Sequence, residues 1–422
     1  MNGGLSMVEM KSGYKMTEVG VIPEDWEVKE LSSISEIKSG KRLPKGSLVT
    51  SSKTPYPYIR VIDMNMGYLN LSDIMYVPEN VQPMISKYII SKNDIYISVA
   101  GTLGLVGKIP EELDGANLTE NANRITEIQC NRDYLMYYMM SPLIQNVIEA
   151  ERTIGAQPKL ALQRIRDFYI VLPGDNREQT AIAAALSDAD SLISALTKKI
   201  EKKKAIKQGL MQQLLTGKKR LPGFCGDWIK KKVSSVSDIL RGGSPRPIEN
   251  YIVKSGGVNW IKIGDVDSSA KYIFRTNEQI IESGIQYSRF VHSGDLLLSN
   301  SMSFGRPYIL KTEGCIHDGW LVIQNYDKYF DKEFLYYLLG SDEVLKQYKS
   351  LAAGSSVLNL NKDIVGKVVL YFPPSISEQT AIANILSDCD SEIAALEEKR
   401  DKYKEIKQGM MQQLLTGKIR LI

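Results

Sequence analysis

The chain has 422 residues, 43% of them hydrophobic and 24% charged, and carries a net charge of +4. That length is too great for one hydrophobic core and predicts two or more domains, while the composition is ordinary for a soluble globular protein. No apolar run approaches the roughly 18–20 residues of a membrane span, the opening MNGGLSMVEMKSGYKM lacks the apolar stretch of a signal peptide, and the slight basicity is compatible with a polyanionic partner without demanding one.

In chain order, YPYIRVID and DIYISVAG read as short strands bounded by turn residues. GTLGLVGKI (101–109) is glycine-rich, but its first glycine is misplaced for a phosphate-binding loop and Ile109 stands where a magnesium-binding hydroxyl belongs. Gly101, Gly104 and Gly107 are expected to bend a strand into a loop. RDYLMYYMMSPLIQNVIEAE reads as a helix ending before Gly155. Residues 178–216 lack proline and are rich in Ala, Leu, Lys, Gln and Glu, which predicts one helix about 58 Å long at ~1.5 Å per residue. The pattern then restarts. NWIKIGDV and DLLLSNS read as strands, DKEFLYYLLGSDEVLKQYKS as a helix ending before Gly354, and YFPPS (371–375) as a stop that admits the next helix. Each half is therefore expected to be an α+β domain of roughly 150 residues.

The second long helix repeats the first. EQTAIAAALSDADS (178–191) returns as EQTAIANILSDCDS (378–391), and IKQGLMQQLLTGK (206–218) as IKQGMMQQLLTGK (406–418). Aligned without gaps, 178–221 and 378–421 share 31 of 44 residues, which marks a duplicated module and not a solenoid array. The duplication continues faintly outside the helices: DWEVKELSSISEIKSGKRLPK (25–45) aligns with DWIKKKVSSVSDILRGGSPRP (227–247), pairing Trp26 with Trp228, Ser33 with Ser235, Ile37 with Ile239 and Gly40 with Gly242. Apolar anchors persist while the residues between them change, as expected of one scaffold presenting two surfaces.

Within each long helix a 4-3-4-3 spacing predicts a coiled-coil seam. In the first copy it comprises Ile182, Leu186, Ala189, Ile193, Leu196, Ile200, Lys203, Lys207, Leu210 and Leu214; in the second, Ile382, Leu386, Cys389, Ile393, Leu396, Arg400, Tyr403, Lys407, Met410 and Leu414. Residues 178–221 carry +5 and 378–421 carry −1, so the two helices are expected to pair with each other within one chain. The bland alternative has each helix packed on its own domain with its charges facing water. Gly217 and Gly417 suit C-terminal caps.

Side chains for chemistry are scarce. Cys130, Cys225, Cys315 and Cys389 stand far apart and read as reduced thiols, and His292 and His317 leave little room for metal or acid–base work. YFPPS lacks the asparagine or aspartate of an amino-methyltransferase loop. No cofactor or metal is expected; the chain reads as built to bind and to space.

Two variable regions, each followed by a near-identical long helix, make the chain resemble the specificity subunit of type I restriction-modification systems. The resemblance rests on the repeated EQTAIA…LSD.D and IKQG.MQQLLTGK.RL, with VGVIPEDWEV (19–28) echoed by LPGFCGDWIK (221–230). It implies target recognition domains at 1–175 and 221–374, each reading half of a split site on double-stranded DNA, and conserved helices at 176–220 and 375–422 forming an antiparallel coiled coil. It further implies two methyltransferase subunits docked on the conserved parts, restriction and motor subunits reached through the complex, catalysis left to those partners, and a cytoplasmic location. Contacts to DNA are expected from polar positions that vary between the halves: Lys38, Lys41, Arg42, Lys45, Arg60, Asn65 and Thr102 in the first, and Arg241, Ser244, Arg246, Lys262, Asn300, Ser303 and Arg306 in the second. The competing readings are a coiled-coil scaffold whose two globular halves bind proteins, and an enzyme with an unrecognised site.

Overall fold

The computed structural model describes residues 12–151, 159–267, 270–300, 304–353 and 359–421. The chain divides into two compact units, Met1–Leu196 with Lys399–Ile422, and Thr197–Glu398. The predicted α+β class holds in both.

In the first unit, strands Glu36–Ser39, Ala122–Thr126, Ile95–Ser98 and Val106–Lys108 form an antiparallel sheet in that order. A second sheet runs Met75–Tyr76, Pro57–Ile59, Ala116–Leu118, Ile89–Ile90. Ile95–Ser98 is buried on both faces. Because successive side chains alternate sides, Ile95 and Ile97 enter a core shared with the helices, and Tyr96 enters a second core with Ile59, Ile90 and Leu118. The second unit repeats the arrangement with two five-stranded sheets. There Leu296 and Leu298 face the helical core, and Leu297 faces Ile261, Val322 and Ile316.

Each predicted helix before the long one is in fact two. Arg132–Met140 stops at Ser141, and Pro142 opens Pro142–Ala150; proline is at home in a first turn and cannot continue a preceding helix. Lys332–Leu339 likewise ends at Gly340, and Ser341 caps Asp342–Ala352. Gly155 and Gly354, expected to follow these helices, lie outside the described residues. YFPPS does separate strand Val369–Phe372 from the C-terminal helix.

The long helices are Asn176–Leu214, here the central helix, and Ile376–Leu414, the C-terminal helix. Every predicted seam position is buried or half-buried. The helices pair with each other, as expected, and their ends also pack into domain cores; the alternative in which their charges merely face water does not hold. In the first unit, Ile182 and Leu186 from the start of the central helix join Trp26, Leu172 and Tyr134 in the domain core, and Met411, Leu414 and Leu415 from the end of the C-terminal helix join the same core. In the second unit, Ile382 and Leu386 meet Leu214, Leu215 and Trp228 in the same way. Helix starts therefore meet helix ends, which makes the pairing antiparallel within each unit.

The repeated motifs are the two sides of this joint. Glu178 is fully buried, accepts from Trp26 Nε1 at 3.1 Å, and takes two hydrogen bonds from Arg420, whose Nη2 reaches Asp25 at 2.7 Å. In the second unit Arg220 donates to both carboxylate oxygens of Glu378, at 2.6 and 2.8 Å. Gln179 Oε1 accepts from Asn131 N and Gln379 Oε1 from Asp331 N, both at 2.9 Å, seating the starts of Arg132–Met140 and Lys332–Leu339. Further along, Asp190 holds Tyr137 OH (2.8 Å) and Lys407 (2.6 Å), while Asp390 holds Tyr337 OH (2.6 Å) and Lys207. The lysines that interrupt the seam are thus register pins. The charge asymmetry is used in the second unit, where Lys203 pairs with Glu392 at 2.6 Å and Lys204 with Glu397 at 2.7 Å. Gly217 and Gly417 adopt φ of 69° and 68°, and a Cβ on Gly417 would collide with the Pro23 ring.

Removing one partner of a buried ion pair leaves an uncompensated charge and costs about 3–5 kcal/mol. Arg420→Ala should therefore lower the urea midpoint of the first unit by an amount worth roughly 3 kcal/mol, whereas Arg177→Ala, at an exposed pair with Asp175, should leave it nearly unmoved. Equal, small effects would contradict a buried joint at Glu178.

Candidate nucleic-acid interface

Four main-chain hydrogen bonds place candidate residues at matching points of the two domains. Gly40 N donates to Ala122 O (3.0 Å) and Lys41 N to Leu118 O (2.8 Å); Gly242 N donates to Trp320 O (2.9 Å) and Gly243 N to Ile316 O (3.1 Å). The glycine is required at this crossing. A Cβ on Gly40 would run into the carbonyls of Leu118 and Thr119, and one on Gly242 into those of Ile316 and His317. The backbone is thereby fixed alike in both domains, and the side chains that follow differ: Arg42-Leu-Pro-Lys45 in one, Ser244-Pro-Arg246-Pro in the other.

In the first domain the crossed turn supplies Glu120. It accepts from Arg42 Nε (2.5 Å) and Thr119 Oγ1 (3.0 Å), while Tyr58 OH donates to Lys41 O at 3.0 Å. Burial pushes the Glu120 carboxyl up, but the hydrogen bonds from Arg42, its own main chain and Thr119 together outweigh it and hold the group below its ordinary range. In the second domain the crossed turn supplies Asp318. Its carboxylate accepts from Ser244 Oγ (3.1 Å) and, at the limit of hydrogen bonding, Arg246 Nη2 (3.5 Å), and lies 3.0 Å from His317 Nε2. Its carbonyl accepts from Arg241 Nε (3.2 Å) and Asn300 Nδ2 (2.8 Å). His317 Nδ1 accepts from Gly319 N (2.9 Å), so Nε2 carries the proton and faces Asp318. Arg241, Ser244, Arg246 and Asn300 are thus gathered on one residue, and Asn300 is itself buried.

The other candidates are held elsewhere. Lys38 is exposed beside Glu36 on its own strand. Lys41 Nζ lies 5.5 Å from the Tyr88 ring centre. Arg60 bonds Asp63 and Asp73, and Lys262 pairs with Glu278 at 2.7 Å. Both sit at equivalent turns where Asp63 and Asp265 also accept the main-chain N–H of Arg60 and Lys262. The Asn65 carbonyl accepts from Tyr96 OH, and that of exposed Thr102 from Ser98 Oγ. Arg306 is half-buried, 5.8 Å from the Tyr308 ring centre. Ser303 lies outside the described residues. Sequence reasoning missed Glu120, His317 and Asp318, the groups on which the others converge.

The sequence profile of the type I restriction modification DNA specificity domain matches twice, over residues 23–208 and 226–408. The chain belongs to this family. Each match takes in one variable region and most of the helix that follows it, the unit of duplication read from the sequence. Across 97% of both chains it is 28% identical to a Methanocaldococcus jannaschii protein provisionally named the MjaX type I restriction enzyme specificity subunit. To the MjaVIII type I restriction enzyme specificity subunit of the same organism it is 25% identical, over 95% of this chain and 94% of that one. Its fold is shared with the type I restriction-modification S subunit from M. genitalium, with a TM-score of 0.57 at 15% identity over 92% of this chain and 96% of that one. A chain from a structural study of complex assembly in a type I R-M system gives a TM-score of 0.59 at 16% identity, over 94% and 99%. Among the described residues, no helix is long and apolar enough to cross a membrane.

In this family member, Arg42→Ala removes the strongest of the contacts that lower Glu120 and leaves burial in place. The Glu120 carboxyl should then titrate higher, toward or past its ordinary value, in a side-chain carboxyl NMR titration. An unmoved titration would contradict the brace.

Proposed function

We propose that this chain, a specificity subunit of a type I restriction-modification system, reads a bipartite, asymmetric site on duplex DNA and performs no chemistry itself. The recognition domains are 1–175 and 221–374, each taking one half-site, and the fourteen candidate residues include those that touch DNA. The conserved helices, 176–220 and 375–422, set the spacing between half-sites and carry two similar docking faces, one for each of two methyltransferase subunits; restriction and motor subunits join through that complex, in the cytoplasm. The observation that supports this most is the repeated crossing at Gly40 and Gly242, where one backbone frame carries two different sets of exposed polar side chains. A module that must change its specificity while keeping its fold needs that division. It also explains why the joint motifs are near-identical and the side chains around Glu120 and Asp318 are not.

The test is to map methylated adenines in cells expressing the chain with its methyltransferase partner, which should give a two-part motif. Replacing residues 25–170 with the first recognition domain of another family member should change one half of that motif. Change in both halves would contradict the modular reading, and salt-dependent DNA binding without sequence preference would contradict recognition altogether.

A further inference from the structure

Each domain has an open groove at the crossing. In the first it is about 510 Å³, lined by residues 42–49 with Tyr58 and Glu120. In the second it is about 330 Å³, lined by residues 244–249 and His317. Tyr58 and Trp260 occupy aligned positions in the two strands behind these grooves, and Trp260 packs edge-on to His317 with ring centres 5.9 Å apart. The two grooves are therefore the same place in the repeated scaffold, with different contents.

Arg42 and Arg246 are 77% and 81% exposed. Ion pairs this exposed contribute little to stability, so the fold gives little reason to have one at this place in both halves. What the carboxylates do is orient. Glu120 takes the Nε side of Arg42, which leaves the paired terminal N–H groups as a fork. Asp318 approaches one terminal nitrogen of Arg246 while Ser244 and His317 hold the carboxylate from its other oxygen. A guanidinium and the carboxylate it pairs with carry no net charge together, so the pull of the pair on a phosphate is largely cancelled. The guanidinium's directional donors remain, and their geometry matches the O6 and N7 acceptors on the major-groove edge of guanine.

Resting on the DNA-reading function proposed above, we infer that these equivalent grooves are the base-reading elements, with Arg42 and Arg246 each specifying a guanine, one per half-site. Glu120 and Asp318 are positioning residues for them. Tyr58 and His317 form the side walls against which the base pair is presented.

The experiment uses the full chain assembled with its methyltransferase subunits, and duplexes in which every position of its own methylation motif is substituted in turn. For the wild type, replacing one guanine in each half-site should weaken binding roughly tenfold or more. Arg42→Ala should abolish the penalty at the guanine in one half-site and leave the other half-site intact, and Arg246→Ala should do the converse. Arg177→Ala, 88% exposed and lining neither groove, should change neither. Unaltered melting of the two groove variants should accompany these losses, since the pairs contribute little to the fold. If either groove variant weakened all duplexes equally, its arginine would be a phosphate contact and the inference would fail, as it would if every preference survived. A wild type without sequence preference would overturn the DNA-reading function itself, whereas preserved preferences in the variants would overturn only the grooves.

Discussion

A carboxylate with no exposed surface must find a cation. Glu178 and Glu378 find theirs at the far ends of the repeated segments, Arg420 and Arg220, separated in sequence by 242 and 158 residues. Around each pair close an indole, a left-handed glycine and two adjacent leucines, so the core of each domain is completed by a helix end, brought to the first domain from the C-terminal helix and to the second by the central helix that leads into it. Met411, Leu414 and Leu415 each contribute roughly 1.5–3 kcal/mol of burial to the first core, comparable with the ion pair itself. The tryptophans differ in one respect: Trp26 Nε1 reaches Glu178, whereas Trp228 Nε1 is buried without a partner among the described residues.

This joint explains the pattern of identity in the repeat. The start motif of one copy mates with the end motif of the other, so both motifs in both copies are held to the same fit. Between them, LISALTKKIEKKKA and EIAALEEKRDKYKE diverge, because the middle of the pair needs only an apolar seam and opposite charge. Lys203 with Glu392 and Lys204 with Glu397 meet that looser requirement. The recognition domains show the same division on a smaller scale: main-chain bonds and a forced glycine are kept at the crossing, and the exposed side chains beyond it are free to differ.

Much of this was legible in the chain. A run of 39 residues without proline and with a sustained heptad reads as a long helix, and both seams are buried or half-buried as spaced. The antiparallel sense came from family resemblance alone, since a seam has no direction until the pairing residues are known. The helix breaks at Ser141 and Gly340 coincide with Ser-Pro and Gly-Ser, but the apolar residues continue across them and mask the breaks in the sequence. The carboxylate braces were not legible at all. Glu120 lies 78 residues from Arg42 and Asp318 lies 72 from Arg246, and no local periodicity links such distant partners. The candidate arginines were found because exposed, variable, basic positions are visible in sequence; what orients them is a tertiary contact.

The central claim is that the end of the C-terminal helix is part of the first domain's core. Hydrogen exchange on a chain ending at residue 398 tests it most directly. The account predicts that protection is lost along the paired strands Trp26–Glu30 and Tyr169–Pro173 and at the start of the central helix, while Leu296–Ser299 and its sheet in the second domain stay protected. Undiminished protection in those first-domain strands would contradict it.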